Sequence, residues 1–139
     1  MKKTVKKLAV LMLVMLLAFL PVMSSYAAAR STLRFNNLST PQVLRKGQSF
    51  NITGTITSNY NITWFYGEIY NEDTGECVMW AECYPNSKKV TIKNTAVNKN
   101  LKFGNLPIGN YRLDLTAVDA SADEYNDVYV YSSRPFRVR

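Results

Sequence analysis

Beyond residue 30 no long stretch carries an apolar residue every three or four positions. Short runs with an apolar residue at every second position recur instead, separated by clusters of Asn, Gly, Pro and Ser. A period of two sends alternate side chains to opposite faces of an extended backbone, so such a chain can bury its apolar half only by pairing strands. "SFNITGTITSN" sets Phe50, Ile52, Gly54 and Ile56 against Asn51, Thr53, Thr55 and Thr57. "ITWFYGEIY" follows after an expected turn at Asn59 to Asn61, then "CVMWAECY", "VTIKN" and "LKFGNL". "NYRLDLTAVDA" places Tyr111, Leu113, Leu115 and Ala117 on one face and Arg112, Asp114 and Thr116 on the other. The last run, "VYVYSSRPFRVR", contains Pro135, which a strand tolerates at an edge or bulge. With a short strand around Leu33 to Phe35, the expectation is an all-β domain, an antiparallel sandwich of about seven strands.

"LPIGNYRLDL" adds a local feature. Leu106, Gly109 and Tyr111 fall where a turn opens into a strand, which predicts a tyrosine corner: the phenol bonds a backbone group a few residues upstream. The plainer reading is a core aromatic in a turn–strand unit. From Pro41 to Val138 the chain resembles Ig-like, fibronectin-III-like modules of secreted or cell-wall-associated Gram-positive proteins. The matching features are "LRKGQSFNITGTITSNYNIT", the "NEDTG" turn, "YPNSKKVTIK", "LKFGNLPIGNYRLDLTAVDAS" and the closing "FRVR". The resemblance implies an Ig-like β-sandwich working at or outside the cell surface. It implies nothing about chemistry, because its motifs are turns and core positions.

The first 29 residues read as a signal peptide, with the domain occupying 30–139. Lys2, Lys3, Lys6 and Lys7 form a positive start, Leu8 to Leu20 is unbroken apolar sequence, and small residues around Ala27 to Ala29 suit a cleavage site. An uncleaved anchor is the alternative, but the run falls short of the roughly 20 residues a spanning helix needs. The expected location is therefore secreted or cell-surface, without stable membrane insertion after cleavage. Trimming removes four of the 17 basic residues and none of the 10 acidic ones, so a net charge of +7 falls to an excess of three. That surplus serves solubility first, attracts anionic wall polymers only mildly, and makes no nucleic-acid footprint.

The chain has no histidine, which removes the commonest general base and the usual zinc ligand, and two cysteines cannot close a tetrahedral zinc site. No cofactor and no metal are expected. "DASADEYND" gathers Asp119, Asp123, Glu124 and Asp127, either a solvated acidic hairpin or, if the loop folds round an ion, a calcium site without the regular spacing of one.

Residues 62 to 86 hold both tryptophans and both cysteines. With Phe65, Gly67 and Ile69 inward, Ile62, Trp64, Tyr66, Glu68 and Tyr70 point outward. On the next strand Val78, Trp80, Glu82 and Tyr84 share a face opposite Cys77, Met79, Ala81 and Cys83. A register bringing Trp80 near Trp64 or Tyr66 builds an aromatic platform flanked by Glu68 and Glu82, suited to sugar rings and their hydroxyls. The competing reading is cross-strand packing alone, with one tryptophan in the core. Cys77 and Cys83 pose a similar choice. Export favours a disulfide closing a small loop. A straight strand would hold them roughly 20 Å apart, whereas a bridge needs Cα atoms about 4.4 to 6.8 Å apart.

The function expected is a non-enzymatic binding module recognising cell-wall glycan or another carbohydrate through Trp64, Tyr66, Trp80, Tyr84, Glu68 and Glu82. The alternative is a protein-interaction module, an adhesin or an inhibitor of an exported hydrolase, acting through its loops on a surface protein. A glycosidase using Glu68 and Glu82 ranks third.

Overall fold

The computed structural model describes residues 29–122 and 128–139. The segment read as a signal peptide, apart from Ala29, lies outside the described residues, as do Asp123, Glu124 and Asp127 of the acidic loop. Among the described residues no helix is long and apolar enough to cross a membrane. The fold is mostly β: seven strands form one mixed sheet curled into a half-barrel. The strands are β1 (Arg34–Ser39), β2 (Val43–Leu44), β3 (Thr53–Asn71), β4 (Cys77–Cys83), β5 (Ser87–Thr91), β6 (Gly109–Asp119) and β7 (Tyr129–Val138). All pairs are antiparallel except β2 with β7, which run parallel through Val43↔Arg137 and Leu44↔Val138.

The organising element is β3, 19 residues long, against a usual strand of about five or six. Its first half is flanked by β1 and β5, its second by β4 and β6. The turn expected at Asn59 to Asn61 does not form. The strand continues because Ser58 to Asn61 bulge away from β5, whose register jumps from Thr57↔Lys89 to Ile62↔Ser87. The freed groups bond elsewhere: the Asn59 amide donates to Thr32 Oγ1 at 3.0 Å, and the Asn61 carbonyl accepts from Ala120 N at 2.8 Å.

A second irregularity corrects the face assigned to Ile62. From Val118 to Asp119 β6 advances one residue, while β3 advances two, from Trp64 to Ile62. Thr63 is the extra residue of a bulge, and a bulge shifts the alternation by one. Ile62 and Phe65 are therefore both buried, and Thr63 and Trp64 both exposed.

The concave side of the sheet carries the core, with Ile56, Phe65, Ile69, Leu113, Leu115 and Phe136 among its side chains. It is closed by a short helix, α1 (Ala96–Asn100), and the turn after it. Thr95 caps α1, its hydroxyl accepting from Asn98 N at 3.3 Å, which satisfies one orphan amide. Val97 and Leu101, four residues apart, then face inward. Gly67 makes this seat possible: a Cβ there would stand 2.9 Å from Leu115 Cδ2, 3.0 Å from Leu101 Cδ1 and 3.1 Å from Val97 Cγ1. "LKFGNL" is not the expected strand. Phe103–Asn105 make a 3-10 turn, because Phe103 serves as a plug, edge-on to Phe50 and Phe136 with ring centroids 5.7 Å away in each case.

Tyr111 donates its phenol to the Pro107 carbonyl at 3.0 Å and stacks on Phe136 at 5.5 Å, the bond expected of a tyrosine corner. Asp119, only 1 % exposed, accepts from Ser31 at 2.7 Å, from the Ser58 and Ser121 hydroxyls, and from the Ser121 amide at 3.0 Å. Burial alone would raise its carboxyl, but the hydrogen bonds from Ser121, Ser31 and Ser58 outweigh it and hold the group below the ordinary aspartate value. This carboxylate ties three segments together: the strap at residue 31, β3, and the end of β6.

Candidate functional site

The convex side of the half-barrel is the candidate site, and register alone assembles it. Glu82, Tyr66, Thr116 and Tyr131 lie side by side across β4, β3, β6 and β7. The next row is Trp80, Glu68, Asp114 and Ser133, and beyond it Tyr70 faces Arg112. On the other flank Trp64 faces Val118, which faces Tyr129. Four strands therefore contribute to one surface whose rings surround a polar centre.

Both tryptophans are on the surface and neither is a core residue: Trp64 is 38 % exposed and Trp80 61 %. Trp64 packs on Tyr66 with centroids 4.5 Å apart at a 36° tilt, and its indole N–H donates to Glu82 Oε2 at 2.8 Å. Trp80 stands opposite Glu68, on the row beyond Tyr66, and so extends the platform without stacking on Trp64. Tyr84, just past the end of β4, is exposed, and hydrogen bonding to the Glu82 carboxylate pushes its phenol up. All six expected site residues thus lie on this side of the sheet. Glu82 acts first as the anchor that orients the Trp64 ring.

The polar centre is braced. Asp114, 6 % exposed, accepts from Ser133 Oγ at 2.6 Å and from Arg112 Nε at 3.1 Å. Arg112 also bonds Glu72 at 2.9 Å and lies over the Tyr70 ring, 4.8 Å from its centroid. Burial, then the Glu68 charge, pushes the Tyr70 phenol up. Tyr70, Arg112, Asp114, Tyr129 and Tyr131 were not among the expected site residues. "VYVY" carries Tyr129 and Tyr131 at alternate positions, but only the β6–β7 register brings them beside the tryptophan strand.

Cys77 and Cys83 form no disulfide, so the expected loop closure is corrected. The strand argument prevails: β4 runs along β3 with Cys83 opposite Phe65 and Cys77 opposite Tyr70. Cys77 is exposed. Cys83 is partly covered, and burial pushes its thiol up, offset in part by backbone hydrogen bonds at Val97 and Ala96. Among the described residues no three potential metal ligands gather, and Asp119 is turned inward to its serines. Comparison with family models, with curated proteins and with solved structures found no match.

Proposed function

We propose that the chain is an exported, non-enzymatic binding module that recognises a glycan, such as a cell-wall carbohydrate, across its convex sheet face. The observation that carries this reading is the arrangement of Trp64, Tyr66, Trp80, Tyr129 and Tyr131 around Glu68, Asp114 and Thr116 on four hydrogen-bonded strands. Ring faces take the C–H faces of sugars while the Glu68 carboxylate and the tyrosine hydroxyls bind their hydroxyl groups; Asp114 and Thr116, buried beneath, brace the face. Strand pairing and the Trp64–Glu82 bond hold the rings in place beforehand, which lowers the ordering cost of binding. The tyrosine corner and the seven-strand count support an Ig-like module as the scaffold.

The test is co-sedimentation of the purified protein with insoluble peptidoglycan, wild type against the Trp64→Ala, Trp80→Ala double variant. Binding by wild type and its loss in a double variant with native circular dichroism supports the reading. Equal binding by both, or by neither, removes it and turns attention to a protein partner. The "NEDTG" turn would then be the surface to probe, where Asn71 Oδ1 accepts from Asp73 N at 2.8 Å and Thr74 N at 3.2 Å.

A further inference from the structure

The carboxylates and five of the lysines occupy different parts of this molecule. Of the described carboxylates outside the buried Asp119, Glu68, Glu82 and Asp114 lie on the convex face and Glu72, Asp73 and Glu76 at the β3–β4 turn. The segment from 85 to 108 contains no acid and five lysines: Lys88, Lys89, Lys93, Lys99 and Lys102. All five are exposed. The ion pairs among the described residues belong to Arg112, and none involves these lysines. Because α1 packs on the concave side through Val97 and Leu101, Lys93, Lys99 and Lys102 beside it stand away from the aromatic face.

They also border shaped space. A concavity of about 480 Å³ is lined by Lys93, Lys99 and Lys102 together with Asn51, Asn94 and Asn98. Its floor is fixed. Buried Asn98 accepts from Ile52 N at 2.7 Å and donates to Asn51 Oδ1 and the Lys93 carbonyl at 3.1 Å each.

We propose that this groove binds a flexible polyol phosphate chain, independently of the aromatic face. Lysine ammonium groups are point charges suited to successive phosphates, and asparagine amides both donate to and accept from hydroxyls. Unpaired like charges repel one another, and a polyanion that neutralises them releases counterions. A bilayer surface fits less well, since none of the exposed large hydrophobic side chains lines the concavity. Single-stranded nucleic acid fits less well too, because the concavity bordered by Lys93, Lys99 and Lys102 offers no exposed ring for base stacking.

The experiment is calorimetric titration of the purified protein with poly(glycerol phosphate), with oligothymidylate and with phosphatidylglycerol vesicles in parallel. Affinity for poly(glycerol phosphate) should exceed that for the other two and fall steeply between about 50 and about 500 mM salt. The Lys93→Gln, Lys99→Gln, Lys102→Gln variant, checked for native circular dichroism, should bind roughly tenfold more weakly or worse. The Trp64→Ala, Trp80→Ala variant should bind within about twofold of wild type, which separates this site from the glycan face. Undiminished affinity in the triple glutamine variant, insensitivity to salt, or tighter binding of oligothymidylate or vesicles would overturn the proposal.

Discussion

Replacing Asp119 probes the junction on which the upper end of the half-barrel depends. Its carboxylate accepts from three hydroxyls and one amide at 1 % exposure, and hydrogen bonds to charged groups contribute about 1.5 to 3 kcal/mol each. Their sum overstates the loss, because the Ser31 and Ser121 hydroxyls can turn to water, while Ser58, 9 % exposed, cannot readily do so. Asp119→Ala should therefore cost about 3 to 4 kcal/mol, a large share of a total of about 5 to 15 kcal/mol. With a urea slope of about 1 to 1.5 kcal/mol per molar, the unfolding midpoint should drop by about 2 to 4 M.

The same group sets a pH dependence. Its folded pKa lies below the unfolded value of about 3.9, so its contribution is complete above that value and is lost as pH falls through the folded pKa. Wild type should lose stability over this acid range, and Asp119→Asn, which does not titrate there, should lose less. Urea melts of both proteins at pH steps below about 5 read the difference. A midpoint for Asp119→Ala within about 0.5 M of wild type, or parallel pH profiles for wild type and Asp119→Asn, would refute the assignment.

Two further outcomes follow from the packing. Gly54 has φ +120°, and a Cβ there would stand 2.8 Å from the Asn36 carbonyl oxygen and 2.9 Å from that of Asn37. Gly54→Ala should destabilise by about 3 kcal/mol or more and speed amide exchange in β1 before the rest of the sheet; a melting temperature equal to wild type would contradict this. In the native protein at neutral pH a thiol-specific disulfide reagent should label exposed Cys77 well before Cys83, which is partly covered and raised in pKa. Equal rates, or a mass showing an internal bridge, would count against the straight β4.

The extent of sequence legibility differs element by element. β6 was plain, because four apolar residues at alternate positions between a Gly turn and an Asp can bury only one face. In β4, Trp80 and Glu82 take the outward face as expected, but a bulge makes Val78 an extra residue and sets Cys77 opposite outward Tyr70, so the expected alternation fails at that end. Ile62 was misplaced because alternation is reliable only up to a bulge, and the extra residue Thr63 leaves no mark in composition. The Asn59 to Asn61 turn was misread because Asn and Tyr there serve lateral bonds to the N-terminal strap instead of reversing the chain. Phe103 was read as part of a strand, although its burial between Phe50 and Phe136 is satisfied as well by a 3-10 turn.

What the amino-acid order determined by itself was local: the period of two, the tyrosine corner, and which side chains share a face along a stretch free of bulges. These follow from the steric geometry of neighbouring residues. What only the tertiary structure decided was non-local: that one 19-residue strand serves both halves of the sheet, that Tyr129 and Tyr131 join the tryptophans, that the cysteines stay apart, and that Lys93, Lys99 and Lys102 border one groove with Asn51. Those outcomes depend on register between strands distant in sequence, where a bulge of one residue exchanges one face for the other.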